Sequence, residues 1–284
     1  MNVLFIGLGA MGYHMAGHLA ADSSINLEVW NRSLEKSQLW QKQFSAYVTK
    51  DLIQSAKLAD VLITCTGKDE DLSQILLGAD GIGRYLKPKA IIIDHTTTSY
   101  KLAQTISKSL SNISFLDAPV SGGGDGAKAG KLSVMVGGDE QVLKQVKLIL
   151  KAYAKTIVYI GATGSGQLAK MVNQICIAGV LQGLAEGISF AEAENIDFEK
   201  LLSAISGGAA QSWQMDHRAK TMHQRKFDFG FAIKWMIKDL SYCLEQAKAN
   251  GTNLPATREV FQKYQRLAEL GCHDLDTSAL IIDK

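Results

Sequence analysis

The chain has little of several residue types, and each shortage excludes a class of protein. It contains only 3 prolines and 4 cysteines among 284 residues. The cysteines are far apart in the sequence, so no pair has metal-ligand spacing and no disulfide framework is indicated. The formal net charge is only +2, which gives no reason to expect a nucleic acid or an anionic membrane as a partner.

The sequence also lacks a long uninterrupted apolar run. The longest mostly apolar stretch, from Met171 to Ala185, includes Asn173, Gln174 and Gln182, so we expect it to be too short and too polar to span a bilayer. The chain begins directly with an apolar strand pattern, and we expect no secretory leader. Widely spaced, reduced cysteines and no leader together lead us to expect a cytoplasmic protein.

The residues that are present change pattern sharply along the chain. The first half alternates short β-branched runs with amphipathic stretches, which predicts an α/β fold with a doubly wound, mostly parallel sheet. After Ile160 only helical spacing recurs, beginning with a long apolar stretch from Gln167 to Ala193. We therefore predict two domains, one over residues 1–162 and an all-α C-terminal substrate and oligomerisation domain over residues 163–284, divided at the glycine-rich segment 161–166. The predicted strands are Asn2–Ile6, Leu27–Trp30, Val61–Cys65, Ile91–Asp94, the segment at Phe115 and Leu116, and Ser133–Val136.

The segment Gly7-Leu8-Gly9-Ala10-Met11-Gly12 fits the pattern G-x-G-x-x-G. It follows the first predicted strand at once and opens a helical pattern. Gly7 would make the tight turn, Gly9 would let the backbone approach a pyrophosphate, and Gly12 would let the helix pack on the strand. The alternative is a simple tight turn between a strand and a helix. In this context the pattern predicts dinucleotide binding, so the N-terminal domain would be Rossmann-like and bind NAD(P).

The segment Asn31-Arg32-Ser33 follows the second predicted strand. An NAD-preferring site would place a carboxylate here, against the ribose 2′-hydroxyl. Asn31 is not acidic, the Arg32 guanidinium suits a 2′-phosphate, and Ser33 could donate a further hydrogen bond. The alternative is that these residues only begin the next helix, with Ser33 as its N-cap, and both interpretations can hold together. We predict NADP as the cofactor, with NAD possible.

Three further groups of residues could take part in chemistry. Ser121-Gly122-Gly123 offers a hydroxyl and backbone N–H groups that suit a carboxylate, but it could equally be only a flexible loop. Lys170 shares a helical face with Asn173 and Gln174, although a lysine beside an apolar stripe is usually a surface residue. Lys238-Asp239 interrupts an apolar pattern and on its own predicts a surface ion pair.

Five segments of the chain, in order, resemble the β-hydroxyacid dehydrogenase family, which includes 3-hydroxyisobutyrate dehydrogenases and tartronate semialdehyde reductases. The resemblance runs from end to end. It implies an oxidoreductase that transfers a hydride between NADP(H) and a small β-hydroxy acid or its semialdehyde, such as 3-hydroxyisobutyrate or glycerate. The alternative from another class is a non-catalytic dinucleotide-binding sensor or interaction module. The five segments are Gly7–Gly12, Asp94–Thr97, Asp117–Gly138, Gly164–Gln174 and Lys238–Leu240.

The resemblance also implies a role for each matching residue. Lys170 would be the catalytic acid/base, and Thr96 would lie near the nicotinamide and the substrate. Ser121-Gly122-Gly123 would hold the substrate carboxylate, and Lys238 with Asp239 would close the site from the helical domain, where Lys238 would also contact the cofactor.

One position departs from the common pattern of the family. Many members have Asn four residues after the lysine, whereas this chain has Gln174 there and Asn173 one residue earlier. Both amides are therefore expected at the substrate, and either could make the contact.

The histidines give no metal site. His14 and His18 have the spacing of a metal pair, but no acidic partner follows them and the start of their helix is already assigned to phosphate, so we predict no metal. His95, beside Thr96, could line the cofactor pocket or be a structural histidine. The apolar surface of the predicted helices favours a homodimer or a homotetramer.

Overall fold

The structure is a computed structural model that describes residues 1–283. The chain divides into two compact units, and the second unit begins at Met171. The first unit is built on one sheet of nine strands. These are β1 (Asn2–Ile6), β2 (Asn26–Trp30), β3 (Tyr47–Val48), β4 (Val61–Thr64), β5 (Ile91–Asp94), β6 (Ser114–Asp117), β7 (Val120–Ser121), β8 (Leu132–Gly137) and β9 (Ala154–Gly161).

The strand order is that of a doubly wound sheet. The strands lie in the order β3-β2-β1-β4-β5-β6-β8-β7, and β9 pairs with β8. The pairings from β3 to β6 are parallel, β8 is antiparallel to β6 and β7, and β9 is parallel to β8. The two strands β4 and β5 are buried along their whole length, as expected for strands with helices on both faces. The predicted mostly parallel sheet is confirmed.

Helices cover both faces of the sheet in the first unit. Because successive residues of a strand point to opposite faces, the sheet has two cores, one containing Val3 and Phe5 and the other Leu4 and Ile6. Short polar side chains begin several of the helices; Ser99 and Asp139, for example, accept hydrogen bonds from the first turns of their helices. The helices are α1 (Gly12–Ala20), α2 (Leu34–Gln43), α3 (Leu52–Leu58), α4 (Asp69–Leu77), α5 (Tyr100–Ser109), α6 (Gly123–Lys128) and α7 (Glu140–Lys151).

The second unit is helical. Helix α8 (Ser165–Ala193) begins in the first unit and continues into the second. Within residues 171–283 the only β-type pairing is an isolated bridge between Ala232 and Asp276, so the predicted all-α C-terminal region is confirmed. The remaining helices are α9 (Phe198–Ile205), α10 (Trp213–His223), α11 (Ile233–Asn250) and α12 (Pro255–Leu267), followed by a π-helical turn at Ala268–Cys272 and a 3-10 helix at Thr277–Ile282.

Helix α8 corrects one expectation. The stretch 171–185 was expected to be too short and too polar to span a bilayer, but it is part of a helix of 29 residues. By length and composition alone, that helix could cross a membrane. The core helix of a soluble protein passes the same test, so this feature gives only weak support for a membrane partner.

Candidate active site

The glycine-rich segment 7–12 forms the turn between β1 and α1. Gly7 has a φ of +104°, and a Cβ there would collide with the carbonyl oxygen of Cys65. A Cβ on Gly12 would collide with the carbonyl oxygen of Gly7. At Gly9, by contrast, a Cβ would meet nothing within 4 Å, so the backbone there borders open space. The turn therefore has the form that a pyrophosphate requires, with open space at the N-terminus of a helix, and it fits a dinucleotide.

The segment after β2 is hydrogen-bonded to this turn and carries one positively charged side chain, that of Arg32. Asn31 Oδ1 accepts a hydrogen bond from the Leu8 N–H at 3.0 Å, and Asn31 Nδ2 donates to the Ser33 carbonyl at 3.1 Å. Ser33 is the N-cap of α2, which confirms the capping interpretation for that residue. The Arg32 side chain is 85% exposed, and its Nη1 lies 3.1 Å from Asp71 Oδ1.

Thr96 lies just after β5, is only 1% exposed and is held by hydrogen bonds to both its backbone and its side chain. Its hydroxyl accepts from the Thr66 N–H at 2.9 Å, and its own N–H donates to Asp94 Oδ1 at 3.0 Å. Its carbonyl accepts from Gln167 Nε2 at 2.7 Å. The position of Thr96 is therefore fixed by Thr66 just after β4, by Asp94 at the end of β5 and by Gln167 at the start of α8.

Two buried carboxyl groups end the neighbouring strands β5 and β6. Asp94 and Asp117 are register partners, and both are fully buried. Burial, with a smaller contribution from the negative charge of Asp117, raises the pKa of Asp94 to about 7 despite the hydrogen bonds from Thr96 and Thr64. Burial also raises the pKa of Asp117 to about 6, against hydrogen bonds from the start of α8.

His95 is a structural histidine in this region. Its Nδ1 lies 2.6 Å from the Ala118 carbonyl, which can only accept, so Nδ1 carries the proton. Its Nε2 then accepts from the Tyr153 hydroxyl at 2.8 Å. Burial lowers the pKa of His95 to about 4, so the ring is neutral near pH 7.

Of the pair His14 and His18, His18 contacts the backbone of α6. His18 Nε2 lies 2.9 Å from the Ala127 carbonyl. Within residues 1–283, no group of three His, Cys, Asp or Glu side chains is arranged to hold a metal ion.

The segment Ser121–Gly123 turns sharply between β7 and α6. Ser121 pairs with Ser133 of β8 and is half-buried. Gly122 has a φ of +127° and is the residue that precedes α6. A Cβ on Gly123 would meet nothing within 4 Å, so this backbone also borders open space. The turn offers a hydroxyl and accessible peptide groups, which suits an anionic group of a small molecule.

Lys170 lies in the second turn of α8 and is 8% exposed. A lysine this buried is uncommon and does not behave as a solvated surface residue. The interpretation of Lys170 as an ordinary surface lysine is therefore excluded by its burial.

In the second unit, four polar side chains form a continuous series. Asn173 Nδ2 donates to Gln174 Oε1 at 2.7 Å, and Gln174 Nε2 donates to Asp239 Oδ2 at 2.6 Å. Lys238 Nζ lies 3.1 Å from Asp239 Oδ1. Because Asp239 is 2% exposed, the pair is not the surface ion pair that the local pattern predicted.

Lys238 is also held by aromatic rings. Its Nζ lies 5.7 Å from the centre of the Trp235 ring and 5.6 Å from the centre of the Tyr242 ring. Both distances are within the range of a cation–π interaction.

Three buried polar side chains of the first unit had no role predicted from the sequence, namely Asp117, Tyr153 and Gln167. Asp117 and Gln167 lie inside segments that carried the family resemblance, which was a signal that their side chains have a function. Their hydrogen-bond partners are far away in the sequence, so no local sequence pattern could predict these contacts.

Family models match almost the whole chain. Residues 2–161 match the NAD binding domain of 6-phosphogluconate dehydrogenase. Residues 164–282 match the model described as NAD-binding of NADP-dependent 3-hydroxyisobutyrate dehydrogenase. The chain belongs to the β-hydroxyacid dehydrogenase family. It is therefore an NAD(P)-dependent dehydrogenase of this family, and the non-catalytic alternative is not favoured.

Relatives of this dehydrogenase cover its full length. An uncharacterized oxidoreductase of Shewanella frigidimarina is 46% identical over 282 residues, which are 99% of this chain and 97% of that protein. The 2-hydroxy-3-oxopropionate reductase of Escherichia coli is 32% identical over 99% of this chain and 96% of its own length. The structure of the 3-hydroxyisobutyrate dehydrogenase of Mycobacterium tuberculosis with L-serine has a TM-score of 0.88 and 28% identity, covering 99% of this chain and 97% of that one.

Proposed function

We propose that this dehydrogenase uses NADP(H) in preference to NAD(H) and interconverts a small β-hydroxy acid and its semialdehyde, with Lys170 as the acid/base. The observation that carries the proposal is the burial of Lys170 at the start of α8, in a chain whose family acts on such acids. The Escherichia coli relative is named for a small semialdehyde acid, and the Mycobacterium tuberculosis relative was solved with L-serine, which is itself a β-hydroxy acid.

The cofactor preference rests on the segment after β2. Residue 31 is not acidic, and the side-chain oxygen Oδ1 of Asn31 already accepts the Leu8 N–H, so it is engaged with the turn rather than with a ribose hydroxyl. Arg32 is the exposed cation beside it and suits a 2′-phosphate. The residues that we assign to the cofactor are Gly7, Leu8, Gly9, Ala10, Met11, Gly12, Asn31, Arg32, Ser33 and Thr96, together with Lys238 from the family resemblance.

The cofactor supplies the hydride in reduction and takes it in oxidation. Lys170 Nζ donates a proton to the substrate oxygen in reduction and accepts the hydroxyl proton in oxidation. The Ser121 hydroxyl and the N–H groups of Gly122 and Gly123 bind the substrate carboxylate, which fixes the end of the molecule away from the reacting carbon.

In the second unit we assign Lys238, Asp239 and Asn173 to the substrate by family resemblance. Gln174 uses its amide oxygen for Asn173 and its amide nitrogen for Asp239. Gln174 is 2% exposed and Asn173 is half-buried, so we assign the substrate contact to the more accessible Asn173 and a linking role to Gln174.

The experiment that tests this function is a substrate panel, run with NADP⁺ and with NAD⁺ for the hydroxy acids and with NADPH and with NADH for the semialdehydes. The panel contains 3-hydroxyisobutyrate, glycerate, L-serine, tartronate semialdehyde and succinic semialdehyde. We expect turnover of at least one acid or semialdehyde, with a higher kcat/KM for the phosphorylated cofactor. Cofactor binding without turnover of any member would overturn the substrate class, and a preference for NADH would overturn the cofactor assignment.

We also propose a domain boundary at residue 162, since the two family models meet between residues 161 and 164.

A further inference from the structure

The carboxylate of Asp117 binds the first turn of α8 from a distant strand. Its Oδ1 accepts a hydrogen bond from the Gly164 N–H at 2.6 Å, and its Oδ2 accepts from the Gln167 N–H at 2.9 Å. The first N–H groups of a helix have no partner within the helix, and the positive end of the helix dipole favours an anion there. Both oxygens of this buried carboxylate are thus used to hold one helix start.

The packing around this contact leaves no room for side chains. A Cβ on Gly137, the last residue of β8, would lie 2.6 Å from Asp117 Oδ1. A Cβ on Gly166, in the first turn of α8, would lie 2.5 Å from the Met135 carbonyl oxygen. The helix start therefore packs directly on the ends of β6 and β8, where even a methyl group would displace it.

Gln167 fixes the same turn to the segment that follows β5. Its Nε2 donates to the Thr96 carbonyl at 2.7 Å, and its Oε1 accepts from the Thr98 N–H at 3.0 Å. Gln167 and all of its partners are buried. The first turn is therefore attached at two places to the edge of the sheet that carries the carboxyl ends of β5 and β6.

Lys170 follows Gln167 by three residues, which is about 4.5 Å along a helix axis. We propose that Asp117 and Gln167 are positioning residues that fix the first turn of α8 and thereby place Lys170 Nζ at the substrate oxygen. This inference rests on the proposed acid/base role of Lys170. Proton transfer requires heavy atoms within hydrogen-bond distance, so a small displacement of the helix start is enough to slow the reaction.

The test is a double-mutant cycle on the full chain, with NADPH and the semialdehyde of the panel that turns over best. Asp117→Asn keeps the size of the side chain, but its NH₂ group would face one of the two backbone N–H donors. We expect it to lower kcat by about 10- to 100-fold, with a smaller change in KM. In the Lys170→Met background we expect the same substitution to cost less than about twofold, because it acts through the lysine.

A matched control is available in the same unit. Asp139 is the N-cap of α7 and accepts from the Gln141 N–H at 2.7 Å, but α7 carries no proposed catalytic residue. Asp139→Asn makes the same exchange at another helix start, and we expect kcat within about twofold of the wild-type value.

The outcomes separate this inference from the proposed function. Near-normal kcat in Lys170→Met would overturn the acid/base role itself. A low kcat in Lys170→Met, combined with an equal cost of Asp117→Asn in both backgrounds, would show that Asp117 acts independently of the lysine and would overturn the inference. If Asp117→Asn does not fold, Gln167→Glu takes its place in the cycle, because a carboxylate there cannot donate to the Thr96 carbonyl. An equal loss of kcat from Gln167→Glu in the wild-type and Lys170→Met backgrounds would again overturn the inference.

Discussion

Arg32 and Asp71 form an ion pair at the surface of the first unit, with Nη1 of the arginine 3.1 Å from Oδ1 of the aspartate. Asp71 lies in the first turn of α4, and its side chain is 25% exposed, against 85% for Arg32. An ion pair this accessible is worth only about 0–1 kcal/mol. A 2′-phosphate, with its larger charge, would therefore displace Asp71 from the guanidinium at little cost.

The first prediction concerns the arginine. Loss of a charge-assisted hydrogen-bonded contact costs about 1.5–3 kcal/mol. Arg32→Ala should therefore raise the Kd for NADPH by about 10- to 100-fold and leave the Kd for NADH nearly unchanged. Fluorescence titration of both nucleotides measures this difference. Equal weakening of NADPH and NADH would contradict the 2′-phosphate assignment.

The second prediction concerns the competing carboxylate. Asp71→Asn removes the charge that holds Arg32, so the Kd for NADPH should fall by up to about fivefold, while that for NADH should not change. Glu70→Gln is the matched control, since Glu70 lies in the same turn and pairs with Lys68 at 3.6 Å instead. An equal fall in the Kd for NADPH in both variants would mean that the net negative charge of this turn, and not the Arg32–Asp71 pair, sets the affinity.

The third prediction concerns the substrate carboxylate. Ser121→Ala removes one hydroxyl donor and should raise the KM of a carboxylate substrate by about 10-fold, which corresponds to one charged hydrogen bond. An aldehyde of the same size without the carboxylate should turn over poorly in both proteins, with no further loss in the variant. Steady-state kinetics with the two aldehydes measures this. An equal loss with both would show that Ser121 does not contact the carboxylate.

Features that depend on local sequence were predictable. The steric demands at Gly7 and Gly12 arise within one turn of chain, and the glycine pattern alone predicted a tight turn at Gly7 and close packing at Gly12. The long helix α8 was recognised from periodicity, because helical spacing of apolar residues repeats many times along it. The two-residue strands β3 and β7 were not recognised, since strands so short are defined by their partners. Strand β9 does contain a β-branched run, and that signal was overlooked.

Features that depend on distant partners were not predictable. Asp117 and Gln167 are 50 residues apart, and nothing in either segment alone indicates that the carboxylate binds a helix start. Gln174 and Asp239 are 65 residues apart, and without that contact the sequence predicted only a surface ion pair at Lys238 and Asp239. Tertiary contacts decide the burial and the hydrogen-bond partners of these side chains, and a local sequence pattern carries no information about such contacts.

The fourth prediction concerns stability and pH. Burial raises the pKa of Asp94 to about 7, so the native state holds a proton there that the unfolded chain releases near pH 4. The stabilisation from that proton is complete below about pH 4 and is lost as the pH rises towards 7. Asp94→Asn stays neutral at every pH. It should therefore gain stability relative to the wild type between pH 5 and 8, by about 1 kcal/mol or more, since each pKa unit is worth about 1.4 kcal/mol.

The substitution at Asp94 suits this test because it changes few contacts. The Asp94 Oδ1 atom accepts from Thr64 and Thr96, and an amide oxygen can do the same, while Oδ2 is buried without a hydrogen-bond partner. Denaturant unfolding of both proteins at pH 5 and pH 8 gives the difference. Asp139→Asn, at an exposed carboxylate, is the control for the removal of one charge. A stability difference that does not depend on pH would show that Asp94 is ionised in both states.

The fifth prediction concerns Lys170. Lys170→Met keeps most of the apolar stem and removes the amine, so it should lower kcat by about 10²- to 10⁴-fold, the usual contribution of a general acid/base. The Kd for NADPH should stay nearly unchanged, because the segment 7–12 and Arg32 bind the nucleotide. Lys170→Arg should restore little activity in the oxidation direction, since a guanidinium stays protonated and cannot accept the hydroxyl proton. Lys151→Met, at an exposed lysine of α7, is the control and should retain normal kcat. Normal turnover in Lys170→Met with the best substrate of the panel would require a different acid/base.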